Sequence, residues 1–315
     1  MDEFALIRRY FSPLTKPATD VALGIGDDCA LLQVPAGEAL TVTTDTLVSG
    51  RHFPVETAPY DIGWKSLAVN LSDLAAMGAQ ARWFTLALTL PDADETWIAE
   101  FARGLADLAA QFNVALVGGD TTRGPLSITI TAMGSVPVGA ALRRSGAQVD
   151  DVVCVTGTLG DAALALRVLN EPDLSADLRE RLDRPTPRLA AGLALRDIAH
   201  AAIDLSDGLA GDLAHVLQAS NVGAEIYNAR LPSSLEFKKR VAPDESLTLQ
   251  VQGGDDYELC LCLAPEKFDE AAARLAVLDV PLTLIGRIAS ETGLRFLDAN
   301  GATIALAPNG YRHFQ

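Results

Sequence analysis

Cysteine is scarce: Cys29, Cys154, Cys260 and Cys262 are the only four in 315 residues. They are too few and too scattered for a disulfide framework, so reduced thiols are expected. Cys260 and Cys262 stand two apart, and on a strand they share one face as small core residues. The four histidines are dispersed and suggest no cluster. No apolar run approaches the roughly 20 residues that span a bilayer. The opening stretch from Met1 to Tyr10 carries acids and arginines rather than a signal-peptide pattern. A soluble cytoplasmic protein with no membrane partner is expected. Positive charge is also short, with 25 Lys and Arg against 41 Asp and Glu and a formal net charge of −16. That balance argues against a nucleic-acid partner, whose phosphates must be neutralised by basic residues.

Two nucleotide-binding signatures are missing as well. There is no Gly-x-x-x-x-Gly-Lys-Ser/Thr, and no Gly-rich loop ahead of a Val-Ala-x-Lys strand. A nucleoside triphosphate could approach so acidic a chain only with divalent cations bridging its phosphates, assisted by a few basic residues such as Arg144.

What is present is apolar content of 49%, enough for two compact domains of roughly 150 residues each. Turn formers flank a short basic patch in Val136 to Asp151, and a new apolar strand starts at Val152, so we place the domains at 1–140 and 141–315. Strand-like runs begin at Leu40, Trp83 and Leu126 and alternate with helical periodicity at 58–78, 94–112, 158–169, 187–200, 207–219 and 265–277. The fold class is mixed α/β. Asp183-Arg-Pro-Thr-Pro-Arg188 reads as a stiff loop ahead of a helix.

Five short motifs carry carboxylates: Gly24-Ile-Gly-Asp-Asp28, Thr43-Thr-Asp-Thr46, Asn70-Leu-Ser-Asp73, Gly118-Gly-Asp-Thr-Thr122 and Asp204-Leu-Ser-Asp-Gly208. Any one alone is ordinarily a turn or a helix cap. On a strand, Thr41, Thr43 and Asp45 share a face as an all-oxygen stripe suited to a hard cation. Ser66, Asn70 and Asp73 fall at i, i+4 and i+7 on an otherwise apolar helix and need partners inside the protein. Asp28, which follows two glycines, Asp120 and Asp204 are all expected at the carboxyl ends of strands, where ligands of α/β sheets collect. Dispersed single aspartates match Mg²⁺, which takes a few carboxylates plus waters and phosphates.

Read in order with His52-Phe, Arg144-Ser-Gly-Ala and Gly253-Gly-Asp-Asp-Tyr-Glu258, these motifs resemble the thiamine-monophosphate kinase family of the aminoimidazole-ribonucleotide-synthetase-like superfamily. The resemblance runs from about Phe4 to Tyr311. It implies a two-domain fold, an N-terminal α/β domain that dimerises and binds ATP and Mg²⁺, and a C-terminal α/β domain. It further implies a homodimer that transfers the γ-phosphoryl group of ATP to thiamine monophosphate, the last step in making thiamine diphosphate. By motif, Asp28, Thr43, Thr44, Asp45, Asp73, Asp120, Asp204 and Asp207 resemble ligands of several Mg²⁺ ions. Gly119, Asp120, Arg144 and Ser206 resemble ATP contacts, and His52, Asp255 and Tyr311 resemble contacts to thiamine monophosphate. Beyond these metal and substrate ligands no separate catalytic residue is implied. Asp255 departs from the family's usual Glu and is one methylene shorter. Superfamily relatives that make an acyl or selenide phosphate share the dispersed aspartates. A non-catalytic Ca²⁺ module would instead cluster its ligands in one loop, and no such loop occurs.

Overall fold

The computed structural model describes residues 3–15 and 19–305, so Tyr311 lies outside the described residues. Two compact units are present, Met1–Leu74 with Ala79–Gly139, and Ala75–Gly78 with Ala140–Gln315.

The first unit opens with a short helix, α1 (Glu3–Leu6), and a small antiparallel pair, β1 (Val21–Leu23) and β2 (Leu31–Leu32). Its main sheet has the order β3-β6-β4-β5, from β3 (Glu38–Val48), β4 (Gln80–Leu90), β5 (Ala115–Arg123) and β6 (Ser127–Pro137). Helix α2 (Pro59–Ala76) links β3 to β4, and α3 (Glu95–Gln111) makes the crossover between the parallel strands β4 and β5. Asp94 caps α3 by accepting from the Thr96 and Trp97 amides at 2.8 and 3.2 Å. Ile98, Phe101, Ala102, Leu105, Leu108 and Ala109 then bury one stripe. The two helices touch backbone to backbone through glycines. A Cβ on Gly63 would stand 2.1 Å from the Phe101 carbonyl oxygen, and one on Gly104 would stand 1.9 Å from that of Tyr60. One sheet face is apolar and buried through Ile128, Ile130, Phe84, Leu86 and Leu88. On the other, β1 and β2 cover only the end around Trp83, Ala115 and Val117.

The second unit is built on a seven-stranded sheet of order β13-β12-β9-β11-β7-β10-β8. Its strands are β7 (Val152–Thr156), β8 (Ala201–Asp204), β9 (Gly223–Tyr227), β10 (Leu259–Leu263), β11 (Leu282–Ala289), β12 (Gly293–Leu297) and β13 (Thr303–Ile304). All pairings are antiparallel except β12 with β9. Cys154, Cys260 and Cys262 are buried in these strands, and burial pushes their thiols far above the ordinary range, as expected of core residues. The helices are α4 (Asp161–Arg167), α5 (Ala176–Asp183), α6 (Leu189–Leu195), α7 (Leu209–Ser220), α8 (Leu235–Arg240), α9 (Pro243–Gln252) and α10 (Phe268–Ala276).

Two expected helices are shorter than their periodicity. The 158–169 segment begins only at Asp161, because Gly157 and Gly160 take positive φ of 59° and 87°. The 187–200 segment ends at Leu195, where the Ile198 amide turns back to the Leu195 carbonyl at 3.0 Å. Helices α5, α8 and α9 carry too few apolar residues to register as periodic, and side-chain caps from Ser175 and Ser234 start the first two.

Candidate functional site

Strand alternation sorts the Thr43-Thr-Asp motif. Thr41, Thr43 and Asp45 are half-buried on the helix-covered face of β3, and Val42, Thr44 and Thr46 are exposed on the other. The polar line of α2 meets the first set. Thr43 donates its hydroxyl to Oδ2 of Asp73, and the Asp45 amide donates to Oδ1 of Asn70 at 3.0 Å. Asn70 is fully buried and in turn donates to the Ser66 carbonyl at 3.1 Å, while the Ser66 hydroxyl donates to the Ile62 carbonyl at 2.7 Å. Leaving an amide such as Asn70 unpaired would cost about 1–3 kcal/mol, so the chain of bonds specifies how α2 lies on β3. Thr43, Asp45 and Asp73 therefore share one corner. Thr44 does not join them; its hydroxyl lies 2.9 Å from that of Thr131 on the outward face.

Asp120 is not at a strand end. Strand β5 runs on to Arg123, and Gly118-Gly119 forms no turn. Glycine is needed at 119 because a Cβ there would stand 1.9 Å from the Leu86 carbonyl oxygen. The register places Asp120 in the row of Thr46, Thr129 and Ala87, and Asp45 in the row of Ile130, Leu86 and Gly119. These two aspartates thus leave the sheet on opposite faces. Asp120 instead shares a cavity of about 650 Å³ with Gly118, Gly119 and the 25–30 loop that carries Asp27 and Asp28. Its remaining walls include Ile7, Phe11, Leu86 and Leu116, with Arg8 the basic residue. The Asp28 amide donates to Oδ1 of Asp27 at 2.8 Å, which turns the loop. His52 closes a loop of its own, accepting the Val48 amide at Nδ1 at 3.0 Å, so its proton is on Nε2.

In the second unit Asp204 ends β8 and is buried. The next residues zip onto the Gly253-Gly-Asp-Asp-Tyr-Glu258 segment. Leu205 donates its amide to the Glu258 carbonyl at 2.8 Å, Tyr257 donates to Leu205 at 2.8 Å, and Asp255 donates to Ser206 at 2.9 Å. Gly254 allows the approach, since a Cβ there would stand 2.5 Å from the Ser206 carbonyl oxygen. The Asp207 amide donates to Oδ2 of Asp212, at 3.0 Å. Burial and then the charge of Asp204 push the Asp212 carboxyl up to about 8. Asp255 and Tyr257 hold φ of 67° and 49°. For a tyrosine that is an outlier costing about 1–3 kcal/mol, the kind of strain that collects at working sites.

That segment is clamped from below. Glu258, 1% exposed, accepts Nε and Nη2 of Arg188 at 2.7 and 2.6 Å, Nη2 of Arg181 at 3.1 Å and the Thr156 hydroxyl at 2.7 Å. Burial alone would raise its pKa, but the Arg188 fork and the two guanidinium charges hold it below the ordinary range. Asp256 takes the Gly160 amide at 3.0 Å, and burial keeps its carboxyl well above its ordinary value. Arg144 is exposed on a turn fixed by Ser220. That hydroxyl donates to the Arg144 carbonyl at 3.2 Å and accepts the Gly146 and Ala147 amides at 3.1 Å each.

Sequence reasoning assigned no role to Asp212, Asp256, Glu258, Arg188 or Ser220. The stiff Arg-Pro-Thr-Pro-Arg188 loop was the available signal for the clamp, since two prolines ahead of an arginine preset where it points. Among the described residues, no three His, Cys, Asp or Glu side chains stand close enough to share an ion. The donor chemistry nonetheless fits Mg²⁺, because Thr43, Asp45 and Asp73 gather hard oxygens alone, and that ion completes its shell with water and phosphate. No helix among the described residues is long and apolar enough to cross a membrane.

Known proteins agree with this architecture. Residues 26–136 match the AIR synthase related protein N-terminal domain, and residues 148–298 match the corresponding C-terminal domain. The chain is 48% identical to the thiamine-monophosphate kinase of Escherichia coli K12, over 99% of this chain and 98% of that one. The crystal structure of thiamine-monophosphate kinase from Stenotrophomonas maltophilia K279a superposes with a TM-score of 0.88 at 52% identity, covering 94% and 96% of the two chains. AaThiL complexed with AMPPCP and TMP gives a TM-score of 0.78 at 29% identity, covering 99% and 97%. The chain belongs to the thiamine-monophosphate kinase family.

Proposed function

We propose that the chain phosphorylates thiamine monophosphate with ATP, giving thiamine diphosphate and ADP. The observation that carries this is near-full-length identity of 48% to a thiamine-monophosphate kinase, joined to a relative solved with AMPPCP and TMP. A phosphate oxygen of thiamine monophosphate attacks the γ-phosphorus in line, the bond to the β-bridging oxygen breaks, and ADP leaves. The attacking oxygen is already ionised near pH 7, so no general base is required. The chain's work is then to hold two anions in line and to exclude water from the transfer. When bound, Mg²⁺ neutralises and aligns the phosphates. Thr43, Asp45 and Asp73 would hold one ion in a corner of the first unit, Asp28 and Asp120 another beside the cavity on the opposite face of the sheet, and Thr44, Asp204 and Asp207 are assigned as ligands of further ions. The carbonyl of Thr44 is the group suited to that part, since its hydroxyl is engaged with Thr131.

ATP is assigned to the first unit, where the cavity over Gly119 and Asp120 has apolar walls for a base and carboxylates for cations. Arg144 and Ser206 are further nucleotide contacts, and His52, Asp255 and Tyr311 meet thiamine monophosphate. Residues 1–140 form the ATP- and Mg²⁺-binding domain and 141–315 the second domain. We also assign a homodimer through the outward face of the first sheet. Its edge strand β3 exposes Leu40 at 49% and Val42 at 57%, and Val138 nearby is exposed at 72%. We also assign a cytoplasmic setting, a reading that the four unpaired cysteines support.

The test follows ADP release from purified protein with Mg-ATP and thiamine monophosphate and identifies the product by mass. Stoichiometric thiamine diphosphate that disappears with EDTA is expected. Unphosphorylated thiamine should not replace the substrate. ATP binding without thiamine diphosphate would overturn the substrate assignment and leave the family fold intact.

A further inference from the structure

The Gly253 to Glu258 segment holds two left-handed residues around one buried carboxyl. Asp255 has φ 67°, Tyr257 has φ 49°, and Asp256 between them is 2% exposed. Left-handed backbone is tolerable for aspartate and unfavourable for tyrosine. Surrounding contacts over-determine it. The Asp255 and Tyr257 amides are bound to the Ser206 and Leu205 carbonyls at 2.9 and 2.8 Å, and Asp256 is fixed on the Gly160 amide at 3.0 Å. The product of this conformation is a side-chain contact two residues long. The Tyr257 hydroxyl donates to Oδ1 of Asp255 at 3.1 Å, with the tyrosine 8% exposed.

We propose that Tyr257 is a positioning residue for substrate specificity: its hydroxyl fixes the orientation in which the Asp255 carboxylate meets the cationic thiazolium and aminopyrimidine of thiamine monophosphate. This rests on the reading of Asp255 as a substrate contact. A carboxylate one methylene shorter than glutamate has fewer rotamers with which to find a cationic ring, so its direction matters more. A hydrogen bond from a phenol sets that direction before substrate arrives, and it draws on the strained backbone that brings the ring alongside. Because the contact acts through Asp255, it should alter recognition of thiamine monophosphate and leave ATP recognition alone.

Steady-state kinetics of the full chain test this, with Tyr257→Phe, Asp255→Asn and the double variant, varying each substrate against saturating amounts of the other. Tyr257→Phe is expected to raise KM for thiamine monophosphate about 5- to 20-fold, as loss of a charge-assisted hydrogen bond does. Its kcat and its KM for ATP should stay within about 2-fold. In the Asp255→Asn background the same substitution should add less than about 2-fold, since the carboxylate whose direction toward the cationic ring the phenol sets is no longer there. Equal rises in both KM values, or full additivity in the double variant, would make Tyr257 merely structural and overturn the inference. An unchanged KM in Tyr257→Phe beside a raised one in Asp255→Asn would overturn the inference and keep Asp255 as a contact. An unchanged KM in Asp255→Asn would remove Asp255 from the substrate site and the inference with it. The Asp255→Asn arm keeps the test decisive if the phenylalanine variant folds poorly, because the comparison with Asp255→Ser reads the same orientation from the carboxylate side. If direction matters, serine, too short to reach the phenol's position, should raise KM more than asparagine does, and equal values would overturn the inference.

Discussion

Glu258 and Asp73 are both carboxylates tucked against the secondary structure of an acidic protein, and their partners differ in kind. Glu258 is buried to 1% exposure and met by two guanidinium groups and a hydroxyl. Asp73 is half-buried and takes the hydroxyl of Thr43, while its neighbour Asp45 is fixed through its main chain by Asn70. A buried charge matched by arginines inside the fold is part of the architecture. The bonds to Thr43 and Asn70 instead gather the oxygens of Thr43, Asp45 and Asp73 at one corner, an arrangement of hard donors that suits an external cation. Net charge alone does not separate these cases; geometry does.

The contrast is broken most sharply at Asp45. Asp45→Asn keeps the main-chain bond to Asn70, so folding should be retained, with a melting temperature close to that of the parent. Turnover should fall by at least about 10³-fold if the carboxylate holds a phosphate-bridging cation. Circular dichroism and kcat measured on the same preparation check both halves, and near-native turnover in the folded variant would remove Asp45 from the cation site.

The opposite pattern is expected of the clamp. Arg188→Ala leaves Glu258 buried with its bidentate partner gone, a change that costs about 3–5 kcal/mol of folding stability. Denaturant titration measures it, and a loss under about 1 kcal/mol would show that the pair is compensated elsewhere. The pH dependence has a definite sign. The two arginines hold the Glu258 carboxyl below the ordinary glutamate range, so its contribution is fully present above that range and is lost as pH falls through the lower folded value. Glu258→Gln should therefore flatten the loss of stability seen as pH falls below the ordinary glutamate range, which acid titration of both proteins measures.

The first unit was the more legible of the two in sequence. A polar line at Ser66, Asn70 and Asp73 on an apolar helix demands partners, and period two puts Thr43 and Asp45 on one face; that these two sets are each other's partners is what the packing of α2 on β3 adds. Asp120 was misplaced because Gly-Gly reads as a turn, whereas Gly119 serves a close approach to Leu86 within an unbroken strand. The clamp was hidden for a different reason. Arg188 and Glu258 are 70 residues apart, and only the packed sheet brings them together. Nor does any local rule place a tyrosine at φ 49°; that conformation is imposed by the bonds to Leu205 and Ser206 on the paired segment.

The smallest expected effect falls on Ser220, where the comparison between architecture and site is finest. Its hydroxyl serves three main-chain groups of the 144–147 turn, two as acceptor and one as donor. Ser220→Ala removes all three bonds while the exposed edge of the turn can recover some with water, so the stability loss should be only about 1 kcal/mol. If Arg144 contacts the nucleotide, loosening its turn should raise KM for ATP roughly 3-fold and leave KM for thiamine monophosphate unchanged, since the 253–258 segment, the proposed substrate contact, is held by other bonds. Ser220→Thr, which keeps the hydroxyl, should restore the ATP value. A stability loss without any change in KM for ATP would class Ser220 with Glu258, as a bond that holds the fold, and would take Arg144 out of the nucleotide site.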